Sequence, residues 1–264
     1  MIAKNYIPVE WKLAVVTPLH KKGSTSDINC YRGISVLPPL AKIFEKILAS
    51  QIVIFLNLNR ILFPGQHGFL SLHSCDTLLH EIISDFNMIR DNQEIGLCLF
   101  IDFRKAFDLV DSKLLLNKLF HYGFGNNALE LIKNYFDQRS QLVKFGDCKS
   151  STLPIELGVP QGSVLGPLFF LLFINDLPMF LNDMHCKMFA DDTSLNMSSS
   201  SLDKLLQKFN YQIKRLLDWC RYNRLDINWS KTYFMFVTKK RLVLPKHLMV
   251  NKYKVEVVFS FRLL

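Results

Sequence analysis

Asp102 lies in the almost wholly apolar run from Ile95 to Phe103, and Asp191 and Asp192 stand side by side after Phe189 and Ala190. A carboxylate at the end of an apolar strand is costly to bury alone, so it must meet a cation or an open edge. Two adjacent carboxylates at a hairpin tip repel one another, and a hard divalent cation such as Mg2+ relieves that repulsion. If the two strands lie side by side, Asp102 and Asp191 face a common point. Two metal ions held there would activate an attacking hydroxyl and stabilise a leaving oxygen in an in-line phosphoryl displacement. Each piece alone has an ordinary structural explanation. Asp-Asp is common in turns, and an Asp after a strand often caps a helix. Asp108 and Asp111 are read in that way, as local structure rather than ligands. A third segment, Gly158 to Pro167, is dense in glycine and proline and leads into a helix. Such a loop fixes a bent backbone that a substrate can approach closely. Its place between the two aspartate segments makes it more than a turn.

The surrounding periodicity supplies the elements that must position these groups. Leu13–Leu19 reads as a strand followed by the basic turn His20 to Gly23, and Leu40–Asn57 has helical periodicity. Ile95–Phe103 reads as a buried strand. Asp111 or Ser112 caps a helix running to about His121, with Gly123 at its C-terminal end. Pro167 suits the first turn of a helix over Leu168–Leu177. His185–Met197 reads as strand, tight Asp-Asp turn, strand. Leu202–Tyr222 is amphipathic, with Leu205, Phe209, Ile213 and Leu216 on one face, and Thr232–Val237 reads as a further strand. Strands and helices in this order predict an α+β fold: a mainly antiparallel sheet with helices packed on one face. The first ninety residues, with about 120–150, are expected to form a second, more helical lobe.

Composition sets wider bounds. The chain has 264 residues, is 49% apolar and carries a formal charge of +9, which suits a buried core and a polyanionic partner. Its six scattered cysteines show neither C-x-x-C nor zinc-ligand spacing, which predicts free, mostly buried thiols in a reducing compartment. The N-terminus lacks the apolar run of a signal peptide, so an intracellular location, cytoplasm or nucleus, is expected. Val164–Leu181 is strongly apolar but is broken by Pro167, Asn175, Asp176 and Pro178, which predicts a buried helix and no membrane span.

The ordered series Asp102 to Asp108, Gly158 to Pro167 and Phe189 to Asp192 resembles motifs A, B and C of reverse transcriptases, and is most similar to those of non-LTR retrotransposons. The likeness extends to Trp11 and Lys12, Thr17 to Gly23, Tyr31 to Leu37, Lys42 to Lys46 and Gln66 to Phe69. Trp219, Asn223, Leu225, Asn228, Lys231 and Thr232 resemble motif D. The resemblance implies the fingers and palm of a right-handed polymerase. The expected divisions are 1–94 as fingers, 95–119 as palm with motif A, 120–154 as a connection, and 155–264 as palm with motifs B, C and D, ending before a thumb.

By the same resemblance, Asp102, Asp191 and Asp192 are the catalytic metal ligands, with the Phe103 carbonyl as an additional one. The ions are two Mg2+, for which Mn2+ can substitute. Phe107 is implied as a steric gate against the 2′-hydroxyl, while Gln161 and Gly162 line the nucleotide pocket. Arg32, Lys21 and Lys22 would lie on the triphosphate, and Lys231 would donate a proton to pyrophosphate. The implied partners are an RNA template, a DNA primer and dNTPs. This chain has Gly33 after Arg32 where the family has proline, and Asp111-Ser112 after the Phe107 to Val110 segment where the family usually has a histidine; neither change touches a metal ligand. Lys231–Lys254 is basic and free of acids, as phosphate contacts at a palm–thumb junction would require. The expected activity is RNA-directed DNA polymerisation. The alternatives are an inactive nucleic-acid-binding remnant without thumb or endonuclease, and an intron-encoded reverse transcriptase.

Overall fold

A computed structural model describes residues 1–262. In chain order its regular elements begin with β1 (Leu13–His20), β2 (Tyr31–Val36), α1 (Pro39–Leu58), α2 (Cys75–Asp91), β3 (Ile95–Ile101), α3 (Ser112–His121), α4 (Asn126–Phe136), β4 (Ser140–Phe145), β5 (Cys148–Lys149) and β6 (Leu153–Pro154). They continue with α5 (Leu165–Ile174), α6 (Leu177–Phe180), β7 (His185–Phe189), β8 (Asp192–Ser199), α7 (Leu202–Asn223), β9 (Tyr233–Thr238), β10 (His247–Val250) and β11 (Tyr253–Glu256). The chain forms two compact units, Met1–Ile61 with Phe107–Phe173, and Leu62–Ala106 with Ile174–Leu264.

The first unit holds a sheet in the order β2-β1-β4-β5, with β6 beside β4, together with α1, α3, α4 and most of α5. Asp111 caps α3 by accepting from the backbone N–H groups of Lys113 and Leu114 at 2.9 and 3.1 Å. Gly123 follows with φ +87°, as expected at the end of that helix. Helix α5 begins at Leu165, three residues before the expected start, and Pro167 occupies its first turn. Its N-terminal N–H groups are met by a distant side chain. The buried Glu45 of α1 accepts from Val164 and Leu165 at 2.6 and 3.2 Å, and from the Tyr135 hydroxyl at 3.1 Å. A carboxylate at a helix N-terminus is favoured by the helix dipole. Phe169, Phe170, Leu172 and Phe173 are all fully buried, so the apolar run is core. Among the described residues no helix is long and apolar enough to cross a membrane.

The second unit is built on the antiparallel sheet β7-β8-β3-β9. Every residue of β3 is buried, which explains its uninterrupted apolar sequence. Helix α7 buries Leu205, Phe209, Ile213, Leu216 and Trp219. Burying each aliphatic or Phe side chain contributes about 1.5–3 kcal/mol. The Trp219 indole donates to Asp176 at 3.1 Å, so this polar residue, two positions past the end of α5, serves as an anchor for α7. The hairpin β10–β11 begins in the basic segment and ends just beyond it at Glu256, and Lys239 of that segment pairs with Asp91 at 3.0 Å.

Cys98, Cys186 and Cys220 are buried, but Cys75 and Cys148 are exposed, so only half of the thiols fit the expected core role. All six are free.

Candidate active site

Strand β3 ends at Ile101, one residue before Asp102. Strand β8 runs antiparallel beside it with Ile101 opposite Thr193, and the next step of that register brings Asp102 level with Asp192. The β7–β8 hairpin differs from expectation. Phe189 pairs with Asp192, so the turn residues are Ala190 and Asp191, and Asp192 is already the first residue of β8. Ala190 takes the left-handed conformation, φ +55°, that the first position of a tight two-residue hairpin turn demands. This turn offsets the two carboxylates. Asp192 shares a cavity of about 270 Å3 with Asp102, Lys231 and Tyr233, while Asp191 sits at the hairpin tip.

The carboxylates feel one another. Burial pushes the Asp192 carboxyl up to about 6, the Asp191 and Asp102 carboxylates push the same way, and the Lys231 ammonium opposes them. One Asp102 oxygen accepts from the Asn228 side-chain amide at 2.9 Å, and Lys231 lies 3.7 Å from the same oxygen. Phe103 is buried and bridges to Ile227, flanked by bonds from Asn228 N–H to the Asp102 carbonyl and from Arg104 N–H to the Asp226 carbonyl, both 2.8 Å. The loop that carries Asn228 and Lys231 is therefore stitched to the end of β3. Asn228 belonged to the motif D likeness, but its bond to Asp102 spans 126 residues of sequence, and no local pattern signals it.

Among the described residues no three His, Cys, Asp or Glu side chains converge as a ready-made metal cage. The donor set nevertheless fits a hard divalent cation. It consists of carboxylate oxygens, half-buried and mutually repelling, with Lys231 as the nearby balancing charge.

The remaining expected site residues fall in the first unit. Lys21 and Lys22 follow β1 directly and are exposed; Arg32 is exposed on β2, paired with Leu19. Gly33 pairs with Pro18 in the same ladder, so the β1–β2 register restrains the backbone beside Arg32. The Phe107 ring stacks on Phe170 at 4.3 Å. Gln161 donates through Nε2 to Asp108 at 2.9 Å, and its carbonyl accepts from Ser35 N–H at 2.6 Å. Asp108 is thus the partner of an expected pocket residue. Gly162 has φ +116°, and a Cβ there would stand 2.5 Å from the Ser35 carbonyl oxygen, so both conformation and space require glycine.

An antiparallel sheet with aspartates at the ends of neighbouring strands, and helices packed on it, is the form of a polymerase palm. The chain belongs to the reverse transcriptase family: residues 19–256 match the family described as reverse transcriptase (RNA-dependent DNA polymerase). It is 30% identical over 261 residues to the probable RNA-directed DNA polymerase from transposon X-element of Drosophila melanogaster, a match that covers 93% of this chain and 27% of that protein. It is 31% identical over 247 residues to the probable RNA-directed DNA polymerase from transposon BS of the same organism, covering 90% and 27%. These relatives bear out the resemblance to non-LTR retrotransposon enzymes. The chain spans about a quarter of the length of the curated relatives it matches. The fold is that of apo telomerase from Candida tropicalis truncated from its C-terminal domain, with a TM-score of 0.65 at 13% identity over 95% of this chain and 54% of that one.

Proposed function

We propose that this chain is the polymerase core of an RNA-directed DNA polymerase, extending a DNA primer 3′-hydroxyl with dNTPs on an RNA template. The observation that supports this most directly is that Asp102 and Asp192 line one cavity at the adjoining ends of β3 and β8, with Asp191 next in the chain at the turn. Asp102, Asp191 and Asp192, with the Phe103 carbonyl, would hold Mg2+, for which Mn2+ can substitute. When bound, the divalent ions supply charge neutralisation and activation of the primer hydroxyl. Asn228 orients Asp102, and Lys231 offers a proton to the leaving pyrophosphate. In the first unit, Arg32, Lys21 and Lys22 bind the triphosphate, Gln161 and Gly162 line the nucleotide pocket, and Phe107 excludes a 2′-hydroxyl. The net charge of +9 favours the polyanionic template and primer.

The test is primer extension on an RNA template by this chain. Extension that requires Mg2+ and disappears in Asp191→Ala supports the reading, and extension that survives that substitution overturns the site. Folded protein that binds RNA salt-sensitively but never extends a primer would make the chain an inactive binding remnant.

A further inference from the structure

The turn that presents Asp191 and Asp192 is held from outside the hairpin. Segment 65–68 runs parallel to β7. His67 N–H donates to the Met188 carbonyl, and Met188 N–H donates to the Gly65 carbonyl, both at 2.8 Å. The Gln66 side chain, 2% exposed, then reaches the turn itself. Its Oε1 accepts from Gly68 N–H at 2.7 Å and from Ala190 N–H at 3.0 Å. Ala190 is the left-handed residue immediately before Asp191, and the Gln66 oxygen satisfies its buried N–H. Gly68 closes the same contact from the other side. A Cβ there would lie 2.3 Å from the Ala190 nitrogen and 3.0 Å from its Cα. Among the described residues, the Gln66 Nε2 is buried without a hydrogen-bond partner. Leu or Met would fill this space without burying an unsatisfied amide, so the carboxamide is explained by its oxygen and the two N–H groups that meet it.

The segment is anchored in turn to α2. The buried His67 ring contacts the Thr77 hydroxyl at 2.8 Å through Nδ1, and its Nε2 lies 3.4 Å from Glu81, which pairs with Lys187 of β7. Through the His67–Thr77 hydrogen bond, segment 65–68 thus braces the aspartate turn from α2.

We infer that Gln66 and Gly68 are positioning residues that fix the backbone at Ala190 and so aim the carboxylates of Asp191 and Asp192. This inference rests on the proposed role of those carboxylates as metal ligands. Residues that orient ligands from behind typically alter metal affinity or turnover by about 10–100-fold when removed.

The first readout is amide exchange in the unsubstituted chain. The Ala190 N–H exchanges at least about 100-fold more slowly than an unprotected turn amide. Free exchange at Ala190 overturns the inference with no variant needed. The second readout is Mn2+ affinity by electron paramagnetic resonance, with Asp191→Ala as the reference for loss. Gln66→Met and Gly68→Ala each weaken Mn2+ binding about 10-fold and lower kcat, while KM for template–primer stays unchanged. Folded variants with a lower melting temperature but full Mn2+ affinity and turnover would assign these residues a purely structural role and overturn the inference. If Gln66→Met does not fold, Gly68→Ala and the exchange measurement decide. Unaltered Mn2+ binding in Asp191→Ala would instead overturn the ligand assignment beneath it. Failure of the unsubstituted chain to extend a primer would count against the proposed function, while exchange and Mn2+ binding still test the brace.

Discussion

Asn228 grips Asp102 twice: its backbone N–H donates to the Asp102 carbonyl at 2.8 Å, and its side-chain amide donates to Oδ2 at 2.9 Å. The first bond fixes the strand end and the second fixes the carboxylate rotamer. Asn228→Ala keeps the first and removes the second, together with the side-chain oxygen that accepts from the Ser230 hydroxyl at 2.7 Å, and the expected result is a folded protein whose kcat for primer extension falls about 10-fold. Equal kcat in the variant would mean that Asp102 needs no external orientation.

One carboxylate, Glu45 of α1, joins the Tyr135 hydroxyl and the start of α5. Glu45→Ala leaves two helix N–H groups and a tyrosine hydroxyl without their acceptor, and the expected loss of unfolding free energy is about 2–4 kcal/mol. Glu45→Gln keeps one acceptor oxygen and loses less. Urea unfolding followed by circular dichroism measures both, and equal midpoints for the alanine variant and the parent chain would refute the cap.

Phe107 leans on Phe170, a residue with no exposed surface. If Phe107 is the sugar gate, Phe107→Val admits rNTPs, with discrimination against them reduced by about 10-fold or more. Single-nucleotide incorporation with matched dNTP and rNTP gives the ratio directly. Unchanged sugar selectivity would remove Phe107 from the gate role.

Burial holds the His67 imidazole below its usual range, against the opposing pull of the Glu81 carboxylate; the His73 ring and Lys187 act with burial. The folded chain therefore resists a proton that the unfolded chain accepts near pH 6.5. Its contribution to stability is complete above that pH and is lost as pH falls through it toward the lower folded value. His67→Asn, which cannot titrate, should flatten the decline in unfolding midpoint between pH 7.5 and 5.5. An identical decline in both proteins would place the pH sensitivity elsewhere.

The sequence made the local features legible. The apolar run of β3, the α7 stripe of Leu205, Phe209, Ile213 and Leu216, and the Asp111 cap all follow from short-range periodicity or capping chemistry. The order of the aspartate and glycine-rich segments was legible enough to expect the reverse transcriptase family. What escaped the sequence were bonds between distant residues and the register of one turn. Gln66 and Ala190 are 124 residues apart, and Glu45 and Val164 are 119 apart. Nothing in a window around Glu45 distinguishes it from a solvated glutamate on an amphipathic helix. The hairpin turn moved by one residue because pairing of Phe189 with Asp192 leaves Ala190 and Asp191 to reverse the chain, which puts Asp192 in the cavity with Asp102 and leaves Asp191 at the tip.

Incorporation of one dNTP opposite a templating RNA base, with Mg2+ and after chelation by EDTA, decides whether the three aspartates are the polymerase centre. The complementary dNTP is expected to be incorporated with Mg2+ alone, and incorporation to fall about 10²–10³-fold or more on chelation or in Asp102→Asn, where a charge that stabilises the reacting centre is lost. Incorporation that persists at the same rate after chelation, or in Asp102→Asn, would contradict the assignment of Asp102, Asp191 and Asp192 as the polymerase centre.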